Sequence, residues 1–196
     1  MKDIRKLSDQ ELINRFVKGD NESMETLINR HKTKIFTYIL MTVRNQDIAN
    51  DLFQDTFIKV IQSLRAGKYT DEGRFASWVT RIAHNLTIDH FRKQKNLNTR
   101  SNDDSEIDLF NSQKFSDSTI EDKMIDEQIS ADVRNVLEML PDEQKQVVLM
   151  RHYGEMSFKE IAEHTNVSIN TALGRMRYAL INMRKIIEEN QISLIK

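Results

Sequence analysis

The chain has 196 residues, of which 39% are hydrophobic and 30% charged, and its formal net charge is −1. That length suits one large domain or two small ones. The lack of cysteine excludes a disulfide framework and a thiolate metal site. Five glycines and a single proline point to an all-α protein with few sharp turns. The N-terminus leads into no apolar signal segment and no run approaches membrane-spanning length, so no direct membrane insertion and a cytoplasmic location are expected.

The predicted elements begin with a capping box, Ser8-x-x-Glu11, opening a short helix that Gly19 ends. A long helix over about 22–43 carries Met24, Leu27, Ile28, Ile35, Ile39 and Leu40 at helical spacing. Asp47 is placed to cap a third helix that runs to about Leu64. A polar loop over 65–73 holds two glycines and Tyr69, an aromatic with no obvious core around it. The fourth helix, about 74–95, turns Phe75, Val79, Ile82, Ala83 and Leu86 inward and carries Arg74, Arg81, Arg92, Lys93 and Lys95 against the single acid Asp89.

Residues 96–117 are rich in Asn, Ser and Asp and lack helical periodicity, so they read as a flexible acidic linker between two small helical domains, 1–95 and 118–196. The second domain opens on another capping box, Ser118-x-x-Glu121, followed by an apolar stripe from Ile125 to Leu140. Pro141 suits the first turn of the next helix, which Gly154 ends.

The last 40 residues read as a helix-turn-helix. Ser157 with Glu160 forms a capping box, Asn166 suits a left-handed turn, and Ser168 caps the final helix. Steps of about 100° per residue put Ile169, Ala172, Met176, Leu180, Met183 and Ile187 on one face, expected to be core. The opposite face carries Asn170, Thr171, Gly174, Arg177, Tyr178, Ile181 and Lys185, with Leu173 on the flank. Between Thr165 and Ile187 there are four basic residues, Arg175 among them, and no acid. A capped, one-sidedly basic second helix is what a major groove accepts. Ser168, Asn170, Thr171, Leu173, Gly174, Arg175, Arg177 and Tyr178 are therefore the candidate DNA contacts.

Two further segments match one family. Ala49-Asn-Asp-Leu-Phe-Gln-Asp-Thr-Phe57 resembles the AEDLxQExF core-binding helix of bacterial RNA polymerase sigma factors, and 75–93 resembles that family's promoter-melting and −10-reading helix. The pattern running from Leu140-Pro141 to Arg175 resembles its −35-reading domain, and the two-domain layout is similar to that of the extracytoplasmic-function (ECF) group. The resemblance implies a factor that binds core RNA polymerase through Asp51, Gln54 and Asp55. It implies −10 DNA contacts at Tyr69, Arg74, Arg81, Asn85, Arg92 and Lys93, with Tyr69 and Asn85 matching a pocket for a flipped base. It further implies promoter DNA and, in many members, an anti-sigma factor as partners, with the acidic linker threading the polymerase's nucleic-acid channel. Asn166 replaces a usual Gly, Asn50 a usual Glu, and Leu173 a frequent basic residue; the last bears on which promoter sequence is read.

The residues alone support the same chemistry. Asp51, Gln54 and Asp55 lie within one helical turn and offer acceptors and a donor to basic groups on a partner. Cations beside aromatic rings on the fourth helix meet the needs of single-stranded DNA. The five histidines are scattered, and no HExxH or glycine-rich phosphate loop occurs, so neither an enzyme nor a cofactor or metal is expected. The alternative is a free-standing helix-turn-helix regulator whose N-terminal domain senses a ligand.

Overall fold

The computed structural model describes residues 4–70, 73–98 and 131–192, and the described residues are all helical or turn. The helices are α1 (Asp9–Val17), α2 (Asn21–Val43), α3 (Gln46–Arg65), α4 (Phe75–Asn98), α5 (131–138), α6 (Asp142–His152), α7 (Phe158–Thr165) and α8 (Ile169–Glu189). A short 3-10 turn, Ile4–Lys6, precedes them. The contacts divide the chain into two units, one with α1–α4 and the segment His152–Met156, the other with the remainder of α5–α8. The linker expected over 96–117 begins later than predicted, because α4 continues through Asn98; the remainder of it and the Ser118 capping box lie outside the described residues.

In the first unit α2 lies at the centre, packed on α1, α3 and α4. The Ser8–Glu11 capping box starts α1 as expected. The third helix departs from expectation, because Asn45 rather than Asp47 is its cap, accepting from the backbone N–H of Ile48 at 3.0 Å. Asp47 instead occupies the first turn, where its charge complements the helix dipole. The core is built from Leu12, Leu27, Ile35, Ile39, Val60, Leu64, Phe75 and Val79, all at most 1% exposed. Each contributes roughly 1.5–3 kcal/mol by leaving water.

Polar groups in this core are satisfied locally. Thr56, Thr80 and Thr87 donate to carbonyls one turn back, at 2.6 to 2.9 Å. Tyr38, which the apolar periodicity of α2 omits, is buried with its hydroxyl 3.0 Å from His84 Nδ1. Burial pushes the Tyr38 phenol well above its ordinary pKa, so it remains a hydroxyl. Asp9 ties α1 to α2, accepting from His31 Nε2 at 2.8 Å and from Arg30 Nη1 at 2.5 Å. Partial burial pushes the Asp9 carboxyl up. The hydrogen bonds and charges of His31 and Arg30 outweigh that and hold it below its ordinary value.

In the second unit α7 packs on α8. Lys145 of α6 is 4% exposed and pairs with Glu138 of α5, while Gln144 accepts from Asn182 of α8 at 2.8 Å. Pro141 stands one residue before α6, and its carbonyl accepts the first two amides, from Gln144 and Lys145, at 2.9 Å.

Candidate nucleic-acid interface

The outward face of α3 is set by what its inward face buries. Ala49, Leu52, Thr56, Phe57 and Val60 are buried, which leaves Asp51, Gln54 and Asp55 exposed together. Ile58, seven residues after Asp51, shares that face and is 51% exposed. An aliphatic side chain among carboxylates is suited to pack against the apolar stems of basic residues. The sequence reading passed over Ile58; the seven-residue step from Asp51 was the available signal.

Arg74, just before α4, and Asn85, Arg92 and Lys93 on it are exposed. Asp89 stands 3.9 Å from Arg92, both largely in water, a weak attachment that leaves the guanidinium accessible. Arg81 is half-buried with its Nε enclosed by protein, so less of it faces solvent. Tyr69 is not without a core. Its ring packs on Trp78 at 4.5 Å and edge-on to Phe75 at 6.0 Å, because the chain returning from α3 lays the loop over the start of α4. Phe75 is buried, whereas Trp78 and Tyr69 are half-buried and keep ring surface in solvent. Asn85 lies two turns beyond Trp78, ~10 Å along the axis at 1.5 Å per residue. The fold thus groups Tyr69 with Trp78 and Phe75 and sets Asn85 further along the same helix.

The helix-turn-helix is capped as its sequence requires. Ser157 and Glu160 form a reciprocal box, with Ser157 N–H donating to Glu160 at 2.9 Å. Asn166 adopts φ 54° and ψ 43°, the left-handed conformation that turns α7 into α8. Ser168 caps α8, accepting from the Thr171 amide at 3.0 Å. Ser168, Asn170, Thr171, Leu173, Arg177 and Tyr178 are exposed, and Gly174 and Arg175 half-buried.

The expected core face of α8 needs correction. Ile169 is 47% and Leu180 45% exposed, whereas Ala172 and Ala179 are fully buried. The inward row runs through Ala172, Met176, Ala179 and Met183; Ala172, Met176 and Met183 stand as expected, and Ala179 takes the place of Leu180. Small side chains let α8 approach its neighbours closely, and close approach leaves the bulkier flanking residues outside. Periodicity alone does not separate a small inward residue such as Ala179 from a bulky neighbour such as Leu180.

The sequence profile of Sigma-70 region 2 matches residues 27–97, and that of Sigma-70 region 4 matches 130–177; together they span well over half of the chain. The chain belongs to the sigma-70 family. Among its relatives, the ECF RNA polymerase sigma factor SigW of Bacillus subtilis is 27% identical over 86% of this chain and 90% of its own length. The ECF RNA polymerase sigma-E factor of Haemophilus influenzae is 26% identical over 93% of this chain and 94% of its own. The fold is similar to that of the sigma factor RpoE of Bartonella quintana, solved with the anti-sigma factor NepR. That likeness has a TM-score of 0.64 at 15% identity, over 85% of this chain and 98% of that one. CnrH, solved with the cytosolic domain of CnrY, gives a TM-score of 0.57 at 20% identity, over 92% and 97% of the two chains. This sigma factor is of the ECF type, with region 2 holding α3 and α4 and region 4 holding α7 and the first half of α8. A region 2 match leaves the free-standing regulator without support, since a ligand-sensing domain has no need of one. Among the described residues no helix is long and apolar enough to cross a membrane.

Proposed function

We propose that this sigma factor divides its work among three exposed surfaces. Asp51, Gln54 and Asp55 on α3 hold core RNA polymerase, and Ile58 adds an apolar contact at the C-terminal end of that face. Arg74, Arg92 and Lys93 of α4 take the phosphates of the −10 strand, Tyr69 and Trp78 offer faces to its bases, and Asn85 reads a base edge. Arg81 contributes with the exposed part of its guanidinium. The outward face of α8, from Ser168 to Tyr178, enters the major groove at the −35 element, with Leu173 against a thymine methyl.

The observation that carries the reading is the solvent exposure of Asp51, Gln54 and Asp55 on one helix face within a region 2 match. The protein performs no chemistry of its own; it positions polymerase and opens DNA, and it works in the cytoplasm, where polymerase and promoter are. An anti-sigma factor fits as a third partner, as for the structurally similar sigma factor RpoE solved with NepR. It would compete for the same exposed surfaces. The first domain covers 1–95, the linker 96–117 and the second domain 118–196, with α4 running three residues past the first border. Run-off transcription with purified core polymerase tests the whole reading. Transcripts starting at a defined site only when this chain is present support it, and no dependence on the chain rejects it.

A further inference from the structure

Beside the aromatic cluster, α1 and the end of α3 enclose a groove of about 400 Å³, a volume within the range of small-ligand pockets. Its floor is apolar, made by the buried Ile13 and Leu64, and Tyr69 forms one wall. Gln10, Asn14 and Lys18 recur every fourth residue along α1 and make the polar rim, and none of the lining residues is acidic. Gln10 Nε2 donates to Asn14 Oδ1 at 3.1 Å, which orients both amides. Gln10 Oε1 is enclosed by protein with no hydrogen-bond partner.

We propose that this groove is a second base-binding pocket, which takes one nucleobase of the unpaired promoter strand. The proposal rests on the −10 reading above and extends it to α1. A base is flat enough for a slot between an aliphatic floor and the Tyr69 ring. Its edge carries an acceptor for the exposed Asn14 amide, which Gln10 holds in place, and Lys18 stands at the rim for the adjoining phosphate. Tyr69 is shared between the groove and the Trp78 cluster. A strand running along α4 could therefore place one base on each side of it.

The test uses the full chain bound to core polymerase and a fluorescent single-stranded oligonucleotide carrying the non-template −10 strand. A companion set is made abasic at one position at a time. Gln10→Leu and Lys18→Ala should each weaken binding roughly tenfold, as loss of one base contact does. The Gln10→Leu loss should vanish on one abasic oligonucleotide, at a position different from the one that abolishes the Asn85→Ala loss. Lys18 is exposed, so its variant reports even if Gln10→Leu folds poorly. Wild-type binding by both variants, with Trp78→Ala and Arg92→Ala still defective, overturns the pocket while leaving the melting role intact. A loss of polymerase affinity in place of strand affinity makes the groove a protein contact and overturns it too. No strand binding by the wild-type complex overturns both the pocket and the −10 reading.

Discussion

Arg177 and Tyr178 show how much one side chain's exposure decides. Both stand outward on α8, away from the Ala172 and Ala179 row, and Tyr178 is 61% exposed. An aromatic left in water on a capped, basic helix is a contact waiting for a surface. Arg177→Ala should cost about 1–3 kcal/mol of promoter binding if the guanidinium is bidentate to a guanine. Competition binding across −35 variants checks this: the loss should be confined to one base position, and an equal loss on every variant would make Arg177 a phosphate contact. Asn166 works at the same scale in a different way. Its left-handed backbone costs a non-glycine residue energy, which Asn tolerates through its short polar side chain.

At the scale of the element, α3 and α8 show the two ways a helix can be used. Helix α3 buries a broad row, Leu52, Phe57, Val60 and Leu64, and leaves a compact acidic face. Reversing both charges, Asp51→Lys with Asp55→Lys, should leave the melting temperature near wild type, because both side chains are exposed. The same change should abolish capture of core polymerase in a pull-down, since like charges then meet across the contact. Unchanged capture would remove α3 from the polymerase interface. Helix α8 is held through alanines, and Ala179 is fully buried. Ala179→Leu should therefore destabilise the second unit by about 1–3 kcal/mol through over-packing, readable as a lower urea midpoint. Leu180→Ala, at an exposed position, should change the midpoint little.

For the molecule as a whole, the tie between α1 and α2 makes stability depend on pH. The Asp9 carboxylate is held below its ordinary pKa by His31 and Arg30 despite the opposing effect of burial. A group whose pKa is lower in the folded state stabilises that state above its unfolded value. Its contribution fades as pH falls through and below the ordinary 3.8 of an aspartate. Asp20, held low first by the Ser23 hydroxyl, acts in the same direction. Asp9→Asn should lower stability near neutral pH by about 1–2 kcal/mol and flatten the loss between pH 5 and 3. Thermal melts across that range check both. An acid profile parallel to wild type would show that other carboxylates set it.

By itself the sequence determined most of what depends on neighbours along the chain, the Asn45 cap of α3 excepted. The Ser8, Ser157 and Ser168 caps, the left-handed Asn166 and the acidic and basic faces follow from residues three or four apart, whose spacing the backbone alone fixes. The motifs of the proposed polymerase-binding and DNA-reading helices were legible because each is a short contiguous segment that resembles the family's. Tertiary structure decided what depends on residues far apart in the chain. It buried Tyr38 against His84, laid Tyr69 over Trp78, and seated α8 on Ala179 beside the expected Ala172, leaving Ile169 and Leu180 outside. It also set Gln10 of α1 beside the loop after α3, some 55 residues on, to enclose a groove. Hydrophobicity says that a side chain prefers to leave water; only the closeness of two packed helices says whether there is room for it.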